Sequence, residues 1–194
     1  QAKMLLGFAP ERVDEPVPLS AVTLPAPRVQ PPAALAAISD TTVGARVRHT
    51  HGRNFPDILR GFRGDFAGAP DVVAFPNDEA DVTRVLDWAS AADVVVVPYG
   101  GGTSVVGGIS AGGEQPFVSL DLSRLDRLLE VDTVSRSARI QAGASGPRLE
   151  AQLAEHDLTL RFFPQSFEFA TLGGWIATRA GGHFAMGPTH IDDL

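Results

Sequence analysis

The sequence predicts an α+β fold: a mixed sheet with a parallel βαβ core, continued by antiparallel strands. Three observations carry this. Residues 71–76 (DVVAFP) and 94–97 (VVVV) are short apolar runs without alternation, the pattern of strands buried on both faces. Between them runs one helical pattern, and strand, helix and strand within about thirty residues make a βαβ unit. Beyond residue 116 the apolar runs lie too close together for helical crossovers, so those strands are expected to pair antiparallel.

Composition bounds the rest. The 194 residues are 44% apolar and 20% charged, ordinary for a globular chain and enough for one large domain. The net charge of −7 disfavours non-specific binding to nucleic acid. With no cysteine there is no disulfide, thiolate nucleophile or iron–sulfur cluster. Of 16 basic residues 15 are Arg, a compositional bias to which no function is attached. The opening shows no signal-peptide pattern, and a cytoplasmic location is expected. The uncharged window 94–113 is long enough to span a bilayer but holds seven Gly and one Pro, so it reads as a strand running into a loop.

Seven of the 15 prolines fall within residues 10–32, and residues 1–44 read as a Pro-rich arm ending in a short helix at 33–38. The arm is either a flexible leader or a docking element. The main domain is expected over 45–194. Residues 54–63 form a short helix capped by Asn54, with Pro56 in its first turn and Phe55, Ile58, Leu59 and Phe62 on one face. Asn77 is the expected N-cap of the next helix, whose first turn is acidic and whose Val82, Val85, Leu86 and Ala89 recur at helical spacing. Strands are expected at 117–122, 128–131, 137–141 and 158–163. A helix follows Ser145, with Leu149 and Leu153 on its apolar face, and a second covers 170–180.

The valine strand ends in PYGGGTSVVGG, residues 98–108. A glycine loop at the carboxyl end of a buried strand is where α/β proteins hold phosphate. Without Cβ atoms, successive amides can turn inward and cradle an anion. Several such bonds, each contributing roughly 1.5–3 kcal/mol, hold a diphosphate without a lysine. Two familiar loops are excluded by spacing. A dinucleotide fingerprint from Gly100 needs glycine where Val105 stands, and a Walker loop from Gly102 to Gly107 needs lysine where Gly108 stands. The other reading of the loop is a tight turn without ligand. A second constellation, FPQSFEFATLGGWIATRAGGH over residues 163–183, mixes large aromatics with bare backbone. It fits either a wall for a planar ligand or a close helix–sheet contact.

Together these segments resemble the FAD-binding domain of the vanillyl-alcohol oxidase / p-cresol methylhydroxylase (PCMH) type, most of all the alkyldihydroxyacetonephosphate synthases. The stretches that carry the resemblance are 70–76, 98–108, 119–121, 142–146, 166–180 and the closing IDDL. The resemblance implies FAD as cofactor. It places the diphosphate on Pro98, Tyr99, Gly100, Gly101, Gly102, Thr103 and Ser104. It lines the flavin and its phosphates with Gln165, Ser166, Phe167, Glu168, Phe169, Ala170, Thr171, Gly174, Thr178, Arg179, Ala180 and Gly181. The family often has an acid at Gln165 and a serine at Gly181, so side-chain contacts differ there. The glycine loop holds neither His nor Cys, which implies non-covalent FAD.

The same resemblance implies that a fatty alcohol replaces the acyl chain of acyl-dihydroxyacetone phosphate through a flavin N5 adduct, a step of ether-lipid synthesis. The alternatives are an FAD-linked oxidase or dehydrogenase of a 2-hydroxy acid or alcohol, and a non-catalytic FAD-binding module that needs a complementary chain. Catalytic Tyr and His groups, and the substrate domain, are expected outside this chain. Expected partners are a small or lipid-like substrate and a homo-oligomer or the remainder of the enzyme, with peripheral membrane contact and no nucleic acid. His49 and His51 share a face if extended, but no third ligand is near, so no metal is expected. Arg179 either meets a phosphate or pairs with a local acid such as Glu168, and His183 either approaches the flavin or caps a turn. Ser104 and Ser166 lack a His–Asp partner in sequence, which argues against a hydrolase triad.

Overall fold

The computed structural model describes residues 7, 14–182 and 190–194. A run of 3₁₀ turns at Ala33–Ile38 leads into β1 (Ser39–Asp40), α1 (Val43–Arg48) and α2 (Phe55–Phe62). The βαβ unit follows as β2 (Val72–Ala74), α3 (Glu79–Ala91) and β3 (Val95–Tyr99). Then come β4 (Phe117–Asp121), β5 (Leu128–Asp132), β6 (Ser137–Ile140), α4 (Gly146–Ala154) and α5 (Leu172–Ala177), with a closing 3₁₀ turn at Ile191–Asp193.

The main sheet runs β1-β2-β4-β3, with β1 antiparallel to β2 and the other pairs parallel. β5 and β6 form a separate antiparallel hairpin. The class is α+β with a mixed sheet, as the sequence predicts, but β3 and β4 are placed differently from that reading. β4 was expected to pair antiparallel with its successors; it lies parallel between β2 and β3 instead. The crossover that a parallel pair requires is residues 100–116, the glycine loop itself, and not a helix. All five residues of β4 are buried. β3, expected to be buried on both faces, is the edge: Val95 and Val96 are half-buried and Pro98 is exposed. Tyr99 O accepts from Leu122 N, just past β4, so residue 99 bonds on the β4 side and the imide nitrogen of Pro98 faces away from it.

Val72, Ala74, Val118 and Leu120 face one layer, closed by Val85 and Ala89 of α3 and by Leu35 and Ile38. Phe117 and Val97 face the other, with Ile109. A second core gathers Leu149 and Leu153 of α4, Trp175 of α5, Phe162, Ala170 and Ile191. Asp78, one residue later than expected, caps α3 by accepting from Asp81 N at 2.8 Å. Asn77 instead donates its backbone N–H to Asp81 Oδ2, closing a reciprocal cap. α2 carries the expected Asn54 cap, yet it buries Asp57 while Phe55, Ile58 and Phe62 remain exposed. Residues 158–163 form no strand. Left-handed backbone at Asp157 and Arg161 breaks the run, Glu150 accepts from Thr159 Oγ1 and Arg161 N, and Phe162 turns into the second core.

The described part of the arm is docked. Asp71, 2% exposed, accepts from Arg28 through its backbone N, Nε and Nη2, and from Phe117 N. Arg46, also buried, donates to Pro70 O and Pro25 O. Burial alone would raise the Asp71 pKa, but the Arg28 guanidinium and the two backbone donors outweigh it and hold the carboxyl below its usual range.

A depressed carboxylate stabilises the fold fully above its unfolded pKa and ceases to as pH falls through the folded one. Asp71→Asn should therefore cost about 1.5–3 kcal/mol at neutral pH, the range for a hydrogen bond to a charged group. In thermal melts at a series of pH values, the gap between wild type and variant should close as pH drops below the ordinary carboxylate range.

Candidate functional site

The two segments singled out in the sequence meet in the fold. β3 delivers residues 100–104 to the carboxyl end of the sheet. Tight turns over 164–170 deliver Phe169, Ala170 and Thr171 against them: Phe167 N donates to Pro164 O, and Phe169 N and Ala170 N to Ser166 O. The contact is made by bare backbone. A Cβ on Gly101 would stand 1.8 Å from Phe169 O, and one on Gly100 would stand 2.2 Å from Thr171 Oγ1. Gly102 is left-handed (φ +64°), and a Cβ there would stand 2.3 Å from the Tyr99 hydroxyl.

Thr171 also caps α5, accepting from Gly174 N, and its strand-like bridge to Ser145 ties α5 to the start of α4. Leu172 N and Gly173 N donate to Ala144 O and Ala142 O. Segment 142–146 thereby backs the second motif, and a Cβ on Gly146 would stand 2.4 Å from the Phe167 ring.

The amides of residues 100–104 donate to no protein acceptor among the described residues. Consecutive amides without a protein acceptor, beside a left-handed glycine, are the kind of backbone that can hold an anion. The Ser104 hydroxyl is turned inward, accepting from Val106 N and Gly108 N, and so shapes the loop's exit. A phosphate is compatible with these unpaired donors, while the Cβ positions of Gly100, Gly101 and Gly102 are taken up by Thr171, Phe169 and Tyr99.

The other expected residues take these places in the fold. Phe167 packs into the second core beside Phe163 and Trp175, stacked on Trp175 at 6.3 Å. Phe169 is exposed. Gln165, Glu168, Gly174 and Gly181 lie at the surface, Ser166 and Ala180 are half-buried, and Thr178 Oγ1 donates to Gly174 O. Arg179 does pair with an acid, but the acid is Asp192 (Nε to Oδ2, 2.8 Å) and not Glu168. His183 lies outside the described residues.

Two residues outside the expected set stand directly under the loop. His49 ends α1, not a strand as its pairing with His51 supposed. It is 6% exposed, donates from Nδ1 to Ala45 O at 2.8 Å, and places Nε2 2.8 Å from Asp121 Oδ2. Its ring lies 4.3 Å from that of Tyr99. Burial, and the charge of Asp121, raise the Tyr99 pKa above its ordinary value despite the opposing charge of Arg53. The sequence signal for Asp121 was a lone carboxylate at the end of an apolar strand. His51 turns elsewhere, bonding Asp65 O. Beside the loop's exit lies an open groove of about 820 Å³, lined by His51, Asn54, Asp57, Val105, Val106 and Ser110 among others.

Comparison with known proteins agrees with this geometry. A family model described as "FAD binding domain" matches residues 70–193, well over half the chain. An alkyldihydroxyacetonephosphate synthase of Dictyostelium discoideum is 39% identical over 151 residues, covering 77% of this chain and 25% of that protein. A D-2-hydroxyglutarate dehydrogenase of Xanthomonas citri pv. viticola is 36% identical over 117 residues, covering 58% of this chain and 24% of that protein. A solved alkyldihydroxyacetonephosphate synthase superposes with a TM-score of 0.88 at 33% identity, over 93% of this chain and 36% of that one. The chain thus spans about a quarter of the length of these curated relatives.

Gly101→Ala drives a methyl group into backbone that cannot yield, so its cost should reach or exceed the roughly 1–3 kcal/mol of overpacking. Gly112→Ala adds its methyl to open space at φ +64° and should cost only the strain of left-handed backbone, about 1–2 kcal/mol. Denaturant melts of both variants measure the difference.

Proposed function

The chain belongs to the FAD binding domain family, of the PCMH type, and from that premise we propose that it holds FAD non-covalently as the cofactor-binding part of an alkyldihydroxyacetonephosphate synthase-like enzyme. The observation that carries this is the run of unpaired amides at residues 100–104, closed from above by residues 169–171. Those amides would hold the diphosphate, with Pro98 and Tyr99 setting the loop's entry and Thr103 lending a hydroxyl donor. Backbone at 165–171 would border the flavin, and Arg179 enters the site already paired with Asp192. His and Cys are absent from the loop, which supports a non-covalent flavin. A bound flavin would supply the electron-accepting ring chemistry; this chain's residues bind and orient it.

The reaction proposed consumes acyl-dihydroxyacetone phosphate and a fatty alcohol and releases a fatty acid, without net redox. Its support is the similarity to alkyldihydroxyacetonephosphate synthases over most of this chain. A second reading, an FAD-linked dehydrogenase of a 2-hydroxy acid, is favoured by the similarity to D-2-hydroxyglutarate dehydrogenase and to a mitochondrial D-lactate dehydrogenase. In either case the acid–base groups of the reaction would come from a segment or partner beyond these residues, and the exposed Phe55, Ile58 and Ile176 offer apolar surface to it. Among the described residues no helix is long and apolar enough to cross a membrane.

Reconstitution with FAD should give a yellow protein whose colour passes a filter entirely after denaturation; colour retained on the polypeptide would overturn non-covalent binding. Fatty acid released from acyl-dihydroxyacetone phosphate without bleaching supports the first reading. Bleaching by a 2-hydroxy acid supports the second. A flavin-loaded chain inert to both, and activated by a complementary chain, is the binding module alone.

A further inference from the structure

Residues 48–53 cross beneath the glycine loop and touch it at both ends. At the entry, the Tyr99 hydroxyl donates to Arg48 O at 3.3 Å, and the Tyr99 ring rests on His49. At the exit, Arg53 N donates to Ser104 O at 2.7 Å, and Gly52 lies so close that a Cβ there would stand 2.3 Å from the same oxygen. The segment is itself anchored. His49 is fixed by Ala45 O and Asp121, Thr50 Oγ1 donates to Arg46 O, and Gly52 N donates to the buried Asp57. Asp121 is in turn held by Ser123 N at 2.8 Å. None of residues 48–53 falls within the matched span 70–193.

The Tyr99 hydroxyl occupies the space where a Cβ of Gly102 would be. Tyr99 therefore bounds the Cβ side of Gly102, and the His49 ring packs against Tyr99 at 4.3 Å. We propose that His49, held by Asp121, is a positioning residue for the diphosphate-binding amides, and that residues 48–53 belong functionally to the cofactor site. This deepens the FAD reading and rests on it. His49 touches no reacting atom. It fixes the donors in the geometry that the ligand needs, so that little ordering is left to do on binding.

His49→Phe keeps a ring against Tyr99 but removes both hydrogen bonds. Tyr99→Phe removes only the hydroxyl over Gly102 and its bond to Arg48 O. Kd values for FAD, ADP and riboflavin are measured by fluorescence quenching or titration calorimetry, and melting is followed without ligand. His49→Phe should weaken FAD and ADP alike by about tenfold, the equivalent of one lost charge-assisted bond. Tyr99→Phe should weaken both by roughly threefold. Riboflavin, which has no phosphate, should bind both variants as it binds wild type, a distinction that general loosening would not produce. Unchanged FAD affinity in both variants, or equal losses for FAD and riboflavin, overturns the inference. If His49→Phe fails to fold, Tyr99→Phe decides alone by the same criteria. A wild-type chain that takes up no FAD overturns the functional reading and this inference with it, whereas a wild type that binds beside variants that bind equally well overturns only the inference.

Discussion

Backbone laid directly on backbone, where Gly101 meets Phe169, is the contact on which the site rests. Two segments more than sixty residues apart approach until one methyl group would separate them. Glycine permits this at the cost of chain entropy in the unfolded state. The return is twofold. The loop gains a fixed roof, and its amides, which would otherwise bond within a turn, stay available. The same device recurs behind the roof, where Gly143 and Gly146 close on Leu122 and Phe167. A series of close glycine contacts thus joins the parallel sheet to the α4–α5 layer.

The charges follow a complementary logic. Asp71 and Asp121, both buried, terminate opposite ends of strands, and each gathers its donors from a distant part of the chain. Asp71 ties down the arm through Arg28, and Asp121 ties α1 to the loop's entry through His49. Neither needs to add net stability to matter. A carboxylate with several well-placed partners tolerates only one arrangement of them, and losing any partner leaves a charge stranded in low dielectric.

Much of this was legible in the residues. The strand pattern at 71–76, the cap at Asn54, the helix start after Ser145, the β5–β6 hairpin and the glycine loop were all local signals, and local signals survive folding. What failed was placement. Four valines in a row read as a strand buried on both faces, but FVSLD, with an aspartate served by His49 and Ser123 N, holds the central position. The one local clue against the valines was Pro98, which a central strand does not accept. A strand at 158–163 was indistinguishable by periodicity from an irregular stretch that uses its apolar residues singly. His49 could not be assigned, because its partner Asp121 stands 72 residues away and only the fold brings them together.

That proline has a further effect. An edge strand of valines presents a template on which another copy of the chain could add itself, strand upon strand. At Pro98 the outward position holds a closed ring in place of a donor, so a stranger's ladder would be interrupted just before the glycine turn. An apolar edge can therefore stand beside the glycine turn without offering an unbroken ladder to a neighbour.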